Sequence, residues 1–439
     1  SLGLVGSEMC IRDSVFTATC SKFHFRVPLQ PFFKCFLNNI VIVMMKGACR
    51  CSNMANIPIP FIEKEDEVYL ASLRCFRCGL CRTGCPVFEV QRSEDWNTRG
   101  RIALIRGLAL GEVPPSPSLV DRIFSCTLCR RCEVLCPSKV NVSGLIHEAR
   151  VRLVKAGVAP PTQQAIQRDN IVKWGVILDR QPAQTASLIG DVVKRLDQES
   201  SMVFHVGCVA AYSYPLIARA CIETLRHYVS FRVRNVEKCC GGVLSMLGYD
   251  DDFRKIAEEN VRLFGEEKVD EVFALCPMCY TAFKEEYPWS ITVMHTSQLY
   301  AELLDAGKMS FSKRVDAVVA YHDPCHLGRY AGVYEPPRKT LESIPGVKLV
   351  ELEDSRELSP CCGGPVRIPY SWIRDELSSK IIRLAAEVGA EYVATACPTC
   401  FHNLYSASML SEYNVKAVMV DELVSFAAGV TSKIPLYEP

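Results

Sequence analysis

The sequence predicts a mixed fold, in which a helical domain built around two cysteine runs precedes an α/β unit that occurs twice. A run of four cysteines that ends in Cys-Pro occupies residues 75–86 and recurs at residues 126–137. From residue 202 onward, apolar stretches typical of strands alternate with helical stretches, which indicates a parallel sheet flanked by helices. A second cysteine pattern occurs twice within that part and indicates an internal duplication.

Composition describes an ordinary globular protein with many cysteines. The 439 residues leave room for two or three domains, and a formal charge of +1 gives no basis for binding nucleic acid or a lipid surface. Eighteen of the 24 cysteines fall into metal-type clusters, which favours a reducing, cytoplasmic compartment over a disulfide framework.

Residues 1–53 are predicted to be a non-native or disordered extension. The first 14 residues resemble a translated sequencing adapter, and we expect the native chain to start near Met54. Residues 29–45 are apolar but shorter than the roughly 20 residues of a membrane span, so any attachment to a membrane would come through a partner. The cysteines of this part are interpreted as incidental, and the alternative is a metal site that uses the last two of them: Cys10, Cys20, Cys35, Cys49 and Cys51.

The two cysteine runs, within a domain predicted over residues 54–160, carry the strongest signal. Each reads C-x2-C-x2-C-x3-C-P, the run by which bacterial-type ferredoxins hold two [4Fe–4S] clusters. Three close thiolates wrap one cubane and the fourth ligates the other. Zinc sites and disulfides are the alternatives, but neither needs a triplet followed by Cys-Pro. The predicted ligands are Cys75, Cys78, Cys81 and Cys136 for one cluster, and Cys126, Cys129, Cys132 and Cys85 for the other.

Helices are predicted around and between these runs. Ser116 with Pro117 and Ser143 are the start signals, and Gly111 and Gly157 are the stop signals. Residues 161–200 are predicted to be a helical connector. The predicted helices cover residues 63–73, 98–110, 119–125 and 145–156.

Two α/β units are predicted over residues 201–310 and 311–439. The predicted strands are residues 203–206, 231–236, 271–275 and 291–294 in the first unit, and 315–321, 347–352, 392–395 and 416–420 in the second. The predicted helices of the first unit are residues 215–228, 251–264 and 279–286.

Each unit carries five cysteines directly after its predicted strands, where parallel strands converge on one sheet edge. Five sulfurs exceed the tetrahedral coordination of zinc and suit a polynuclear cluster, and glycines after each adjacent pair would let the backbone approach it. Redox exchange by each C-x2-C pair is the alternative, and Cys221 fits a buried structural thiol. The two sets are Cys208, Cys239, Cys240, Cys276 and Cys279, and Cys325, Cys361, Cys362, Cys397 and Cys400.

This order of motifs over residues 70–430 resembles the cysteine-rich CCG iron–sulfur family. That family includes cluster-binding subunits of heterodisulfide reductase and of anaerobic glycerol-3-phosphate dehydrogenase, and the iron–sulfur subunits of glycolate and lactate oxidases. The resemblance implies two cubanes and one or two noncubane [4Fe–4S] clusters in the cysteine-rich units, with a disulfide between them. Several flavoprotein-linked members have an incomplete last cysteine pair. Both sets are complete here, which favours the disulfide-reductase side.

Polar residues beside the second set suggest proton transfer. Thiol products need protons, so His322, Asp323 and His326 are candidate catalytic residues, and the alternative is that His322 and Asp323 fix the loop by hydrogen bonds. Arg329 is a candidate for holding an anionic substrate group or for offsetting cluster charge. The arginines beside the cubane cysteines either raise reduction potentials, dock an acidic partner or are solvated: Arg74, Arg77, Arg82, Arg130 and Arg131.

Two functions follow from these motifs. The first is a heterodisulfide-reductase-like subunit that relays electrons to the duplicated sites for disulfide or thiol chemistry, with a b-type cytochrome as partner. The second is an electron-transfer subunit of a flavoprotein dehydrogenase for glycolate, D-lactate or glycerol 3-phosphate, and a cluster-binding scaffold is a weaker third. No G-x-G-x-x-G motif opens a strand–helix unit, so a partner must supply or remove electrons.

Overall fold

A computed structural model describes residues 67–437 except 159 and 180. The expectations for residues 1–53, including their five cysteines, lie outside the described residues. Where they can be compared, the elements confirm the predicted fold class: a helical part followed by two α/β units with parallel sheets. The domain boundaries themselves stay predictions. None of the helices within the described part is both long and apolar enough to cross a membrane.

The helical part surrounds the two cysteine runs. Its helices are α1 (Glu67–Leu73), α2 (Cys81–Gly84), α3 (Pro86–Gln91), α4 (Thr98–Ala109), α5 (Pro117–Phe124), α6 (Arg131–Val134) and α7 (Val142–Lys155). Ser116 caps α5 as predicted, since its hydroxyl accepts a hydrogen bond from the Leu119 amide at 3.3 Å.

One predicted helix start is wrong. Helix α7 begins at Val142, one residue before Ser143, and Asn141 is its cap because its side-chain oxygen accepts from the Gly144 amide at 2.9 Å. The Ser143 amide instead donates to the Glu133 carboxylate at 2.6 Å. The connector is only partly helical, with α8 (Thr162–Trp174), α9 (Thr185–Ile189) and a 3-10 turn at Asp191–Arg195.

The first α/β unit contains a three-stranded parallel sheet in the order β1-β2-β3, with Val203 beside Val272 and Val272 beside Val293. Its strands are β1 (Met202–His205), β2 (Glu271–Ala274) and β3 (Thr292–His295). Its helices are α10 (Cys208–Ser213), α11 (Pro215–Leu225), α12 (Gly242–Met246), α13 (Asp250–Glu266), α14 (Pro277–Thr281) and α15 (Thr296–Asp305).

The strand predicted over residues 231–236 is wrong. This segment makes only one parallel bridge, between Arg232 and Val203 of β1. The carbonyls that follow bond to α9 instead of to a strand. The Arg234 carbonyl accepts from the Thr185 hydroxyl at 2.6 Å, and the Asn235 carbonyl accepts from the Thr185 amide at 2.7 Å. The predicted helix over residues 279–286 is also corrected: α14 starts at Pro277, and a π-helical turn covers Ala282–Glu286.

The second unit has a four-stranded parallel sheet in the order β5-β4-β6-β7. Its strands are β4 (Ala317–His322), β5 (Val347–Glu351), β6 (Tyr392–Thr395) and β7 (Lys416–Met419), and its helices are α16 (Glu335–Glu342), α17 (Ser371–Glu387), α18 (Pro398–Leu410) and α19 (Val420–Ala427). The two units have the same arrangement. In the second unit β5 pairs with β4, and at the corresponding place in the first unit the bridge at Arg232 pairs with β1.

One apolar core runs through both units, from Ile171 to Ala427. Helix α11 of the first unit packs on α19 of the second, where the Thr224 and Ser425 hydroxyls lie 2.9 Å apart. The carboxyl ends of the central strands of both sheets lead directly into cysteine-bearing loops and helices. The duplicated cysteines therefore meet at the junction of the two units.

Candidate functional site

The first three cysteines of the first run and the last cysteine of the second run share one cavity, which we call the outer site. Its cavity is lined by Cys75, Cys78, Cys81 and Cys136, together with Cys132. Cys78 is exposed, and so are its neighbours Phe76 and Leu80, at 80% and 51%. The outer site therefore lies near the surface.

The other four cysteines of the runs share a second, more buried cavity, which we call the inner site. It is lined by Cys85, Cys126, Cys129 and Cys132. The fourth cysteine of each run thus faces the triplet of the other run, the crossed arrangement that the spacing predicts. Because Cys132 lines both cavities, the inner and outer sites are neighbours.

Both runs use the same backbone turn. The residues on either side of the second cysteine have positive φ in each run: 59° at Arg77 and 85° at Gly79, and 50° at Leu128 and 61° at Arg130. Left-handed backbone is costly for residues with a side chain and persists where the surroundings impose it, commonly at functional sites. Each turn curls its triplet of cysteines around a cavity.

Burial raises the pKa of several of these thiols. The pKa of Cys81 is raised to about 11, and burial also raises the pKa of Cys126 and Cys132. All described cysteines are free. Crowded buried thiolates need a compensating positive charge, and binding a metal deprotonates such thiols. The donor set therefore fits an iron–sulfur cluster at each site.

Two buried arginines of the helical part lie against the inner site. Arg101 of α4 is 1% exposed, and its guanidinium is 3.8 Å from the Cys85 sulfur and 2.9 Å from the Ser125 hydroxyl. Arg150 of α7 is also 1% exposed and donates to the Cys126 carbonyl at 2.7 Å and to the Met246 carbonyl at 2.7 Å. Neither arginine was identified as a site residue from the sequence. The available signal was a charged residue on the apolar face of each predicted helix.

The five cysteines of the first unit come together as the first five-cysteine set. The Cys208 thiol contacts that of Cys239, Cys240 contacts Cys279, and Cys276 contacts Cys279. Hydrogen bonds from the Cys239 and Cys279 thiols lower the pKa of Cys240 to about 6. The set therefore favours a thiolate at its centre.

The second five-cysteine set repeats this arrangement. Cys325 contacts Cys361, and the Cys362 and Cys400 sulfurs lie 3.2 Å apart. Contacts with Cys361 and then Cys400 lower the pKa of Cys362, the counterpart of Cys240. The ligand atoms of His322, Cys362 and Cys400 lie within 4.8 Å of one another, close enough to share a metal.

The first glycine after each cysteine pair packs against a neighbouring helix. A Cβ on Gly241, at φ +75°, would lie 2.9 Å from the Phe253 ring, and one on Gly363, at φ +78°, would lie 2.8 Å from the Arg374 Cα. The second glycine lies closer to the thiols, since a Cβ on Gly364 would lie 3.6 Å from the Cys362 sulfur. Approach of the backbone to an inorganic group stays a prediction for the second glycine of each pair.

Contacts between thiols join the sets across domains. The Cys129 thiol of the inner site contacts Cys361 of the second set, and Cys397 of the second set contacts Cys276 of the first. The thiols thus form one continuous series: outer site, inner site, second set and first set. Sequence spacing predicted the members of each set but not their order.

The three candidate catalytic residues lie in different environments. His322 is 1% exposed and lies beside the Cys362 and Cys400 thiols, and its ring nitrogens have no other hydrogen-bond partner among the described residues. Asp323 accepts two hydrogen bonds from Arg338, at 2.7 and 2.8 Å, and one from the Arg356 amide at 2.8 Å. These contacts favour the loop-fixing interpretation of Asp323.

His326 faces the first unit. Its Nδ1 lies 3.2 Å from the Thr281 hydroxyl, and its ring stacks on Tyr330 with the ring centres 4.4 Å apart. Its Nε2 is buried and has no hydrogen-bond partner in the described residues. Burial lowers the pKa of His326 to about 4, and the nearby Cys276 partly offsets this.

The arginines singled out from the sequence divide by surroundings. Arg329 donates to carbonyls of Cys129, Glu357 and Ser359, so it ties the inner site to the second unit. Arg130 lies 3.6 Å from the centre of the Tyr330 ring, and Arg131 pairs with Asp354 at 2.5 Å. The arginines around the outer site are exposed: Arg74, Arg77 and Arg82.

Sequence reasoning also missed a group between the two five-cysteine sets. Arg367 lies near the thiols of Cys208 and Cys362, one from each set. Beside it, the Tyr214 hydroxyl lies 2.7 Å from the His402 Nδ1. Burial, followed by the charge of Arg367, lowers the pKa of His402 to about 4. The only sequence signal was that Arg367 follows the second glycine pair closely.

Comparison with known proteins agrees with this geometry. A 4Fe-4S dicluster domain matches residues 71–140, and a cysteine-rich domain matches residues 202–284 and 319–405. These domains indicate that the chain binds iron–sulfur clusters. A solved structure of a hypothetical protein from Helicobacter pylori has a TM-score of 0.47 at 10% identity, over 69% of this chain and 61% of that one.

Three curated relatives illustrate the range of similar proteins. A subunit of the dihydromethanophenazine:CoB–CoM heterodisulfide reductase of Methanosarcina barkeri is 28% identical over 82% of this chain and 94% of that protein. The probable iron-sulfur-binding oxidoreductase FadF of Bacillus subtilis is 30% identical over 71% of this chain and 48% of that protein. EtfAB:quinone oxidoreductase of Syntrophomonas wolfei is 26% identical over 74% and 54%.

These relatives are oxidoreductases or their subunits, which supports a redox role. A dicluster domain followed by two cysteine-rich domains is the organisation that the cysteine spacing predicts. The chain belongs to the cysteine-rich CCG iron–sulfur family, as an oxidoreductase subunit of the heterodisulfide-reductase-like kind.

Proposed function

We propose that this protein passes electrons from a partner subunit to its two five-cysteine sets, where a disulfide is reduced to two thiols or the reverse occurs. The continuous series of contacting thiols, from Cys132 through Cys129–Cys361 to Cys397–Cys276, carries this proposal. Iron–sulfur clusters bound along it would supply one-electron transfer between successive sites.

The outer and inner sites would each hold one [4Fe–4S] cubane through the four cysteines predicted as its ligands. The two five-cysteine sets would hold one or two noncubane [4Fe–4S] clusters. Five thiols exceed the four positions of a zinc site, and both sets are complete. In the thiol-disulfide exchange alternative, each C-x2-C pair acts alone, but the contact between Cys276 and Cys397 joins the pairs of both units.

Reduction of a disulfide breaks one S–S bond and consumes two electrons and two protons. Two histidines border the thiols, one on each side of the junction. His322 lies beside Cys362 and Cys400, and His326 lies near Cys276, and each has a buried nitrogen with no partner other than the thiols among the described residues. Both fit a role in moving these protons, whereas Asp323 holds the loop through Arg338.

A partner would exchange electrons at the outer site. The exposed Cys78, together with Phe76 and Leu80, offers an apolar approach, and three exposed arginines surround it. A flavoprotein dehydrogenase or a b-type cytochrome subunit fits this role.

A second candidate function is electron transfer alone, with the five-cysteine sets conducting to a flavoprotein dehydrogenase for glycolate, D-lactate or glycerol 3-phosphate. The similarity to FadF and to EtfAB:quinone oxidoreductase favours it, because neither of those names specifies a disulfide substrate.

Iron content and disulfide turnover separate these candidates. Protein purified without air should bind about 12 to 16 irons if the five-cysteine sets hold clusters, and about eight if they do not. Reduced methyl viologen would be the electron donor, and the CoB–CoM heterodisulfide and glutathione disulfide the probes. About eight irons with no disulfide turnover would reject disulfide reduction and leave electron transfer.

A serine substitution tests the role of the first set. Cys276→Ser should abolish disulfide turnover and lower iron content, because Cys276 joins the two sets. Cys221→Ser is the matched control, since Cys221 is fully buried against the Tyr300 hydroxyl at 3.2 Å and belongs to neither set. Equal turnover by the wild type and Cys276→Ser would contradict the proposal.

A further inference from the structure

Three arginines approach the inner site without a carboxylate partner among the described residues: two are fully buried, Arg101 and Arg150, and one is half-buried, Arg329. Arg101 and Arg150 are each 1% exposed. Arg101 donates to the Arg122 carbonyl and the Ser125 hydroxyl, which are uncharged. Arg150 donates only to backbone carbonyls, such as that of Cys126. Arg329 donates to three carbonyls, and its buried Nη2 has no hydrogen-bond partner within the part of the chain that the structure describes. Within residues 67–437 as described, none of the three forms an ion pair with a carboxylate.

This absence of carboxylates is unusual in energetic terms. A buried charge is costly unless it is paired, so unpaired buried arginines are rare in protein interiors. The groups that could carry the opposite charge are the inner-site cysteines and their neighbours: Arg101 lies 3.8 Å from the Cys85 sulfur, and the charges of Cys129 and Cys361 act on Arg329. Neutral thiols would leave these cations uncompensated.

Arginines at the outer site have a contrasting environment. The Arg99 guanidinium pairs with Glu94 at 2.5 Å, and Arg82 lies 3.8 Å from the same carboxylate, with side chains 28% and 46% exposed. Solvent screens these charges and Glu94 neutralises part of them. The two sites therefore have the same number and type of ligands, four cysteine thiols each, but different electrostatic surroundings.

We propose that Arg101, Arg150 and Arg329 are counter-charges to an anionic cluster at the inner site and give it a more positive reduction potential than the outer site. Reduction adds one electron, and hence one negative charge, to a group that is already anionic. Nearby cations stabilise that added charge most strongly where water is excluded. The inference rests on the proposed clusters, but not on disulfide chemistry.

The proposal gives the series of thiols a direction. Electrons that enter at the exposed outer site would be favoured at the inner site, which contacts the second five-cysteine set through Cys129 and Cys361. The three arginines would act on the cluster through their charge and would not ligate it, since none of them belongs to a cysteine set.

Potentiometric titration followed by electron paramagnetic resonance tests this on the whole chain without air. Cys78→Ser, which changes the exposed outer site, assigns the signals. In the wild type, the more positive midpoint should belong to the inner site. Arg101→Met should lower the ratio of reduced to oxidised inner cluster about tenfold at a fixed potential, a shift of about 59 mV for one electron.

Two variants separate charge from shape. Arg101→Lys keeps the charge and should change that ratio less than about threefold, whereas a purely structural role would make it resemble Arg101→Met. Arg82→Met, at an exposed arginine of the outer site, should change either ratio less than about twofold.

Three results would overturn the proposal: an outer site more positive than the inner one, an unchanged inner midpoint in Arg101→Met, or equal shifts in the methionine and lysine variants. If Arg101→Met loses the inner cluster, the order of the two midpoint potentials in the wild type still tests the proposal. Iron-free wild-type protein would instead refute the proposed function, so the two failures are distinguishable.

Discussion

At the scale of single residues, the pair of Asp323 and Arg338 shows how buried charge fixes the loop that carries Cys325. Both side chains are almost fully buried, at 1% and 3%, and two hydrogen bonds join them. Arg338 also pairs with Glu351, which is 40% exposed. Asp323 is therefore engaged as a structural anion, and the sequence alone left this role open beside proton transfer.

Replacing Asp323 should consequently reduce stability. Asp323→Asn leaves Arg338 buried with only its half-exposed partner, so we expect a loss of about 3 kcal/mol in the free energy of unfolding. Urea unfolding without air measures it. The control is Asp316→Asn, whose partner Arg314 is exposed and whose loss should cost about 0.5 kcal/mol or less. Equal effects of the two substitutions would contradict this account.

At the scale of elements, a histidine joins α7 of the helical part to α13 of the first unit. The His147 Nε2 lies 3.0 Å from the carboxylate of Asp250, the first residue of α13, and this hydrogen bond raises the pKa of His147 above its ordinary 6.5. A raised folded-state pKa stabilises the fold below the unfolded pKa, and this contribution is lost as pH rises through the folded value.

The stability of this junction should therefore decrease as the pH rises above the ordinary histidine pKa of 6.5 and through the raised pKa of His147. His147→Gln should remove that part of the pH dependence, while His227→Gln, at an exposed histidine, should leave it unchanged. Thermal unfolding at several pH values measures the difference. A wild type and a His147→Gln variant with the same pH dependence would show that the contact contributes nothing.

The elements also show how far sequence reasoning extends. Seven of the eight predicted strands occur, because each combines an apolar run with a turn and pairs with a neighbour in parallel. The eighth failed because Arg232 and Arg234 both pair with Glu267, and the backbone that follows bonds to α9. Alternating apolar residues cannot reveal a partner that lies outside the sheet.

Cysteine spacing predicted the members of the inner and outer sites because short loops place ligands by local geometry. The five-cysteine sets were predicted because their cysteines follow parallel strands, whose carboxyl ends converge at one sheet edge. Neither pattern could predict that Cys129 meets Cys361, or that Cys276 meets Cys397, since these contacts depend on how separate domains pack. Arg101 and Arg150 were missed for the same reason, because a charge within an apolar helix pattern gives no sign of its partner.

At the scale of the whole molecule, the helical part packs against the second α/β unit at more than one place. Helix α3 packs on α17, and the π-helical turn His326–Tyr330 makes a second junction. The Tyr330 hydroxyl donates to the Leu128 carbonyl at 2.7 Å, and the Arg130 guanidinium lies 3.6 Å from the centre of the Tyr330 ring. This turn lies beside the contact between the inner site and the second five-cysteine set.

Tyr330→Ala should loosen this junction and slow electron transfer across it, because transfer rates fall steeply as two sites separate. We expect disulfide turnover to fall about tenfold or more, while dithionite still reduces the two sites of the helical part at the wild-type rate. Truncating this half-buried tyrosine removes its packing, its hydrogen bond and its cation–π contact together. Tyr413→Ala, at a tyrosine that is 38% exposed, is the control and should not change either rate. Stopped-flow absorbance would measure both steps in one experiment. If Tyr330→Ala slowed reduction of the helical part as much as turnover, the turn would support the sites themselves and not the passage between them.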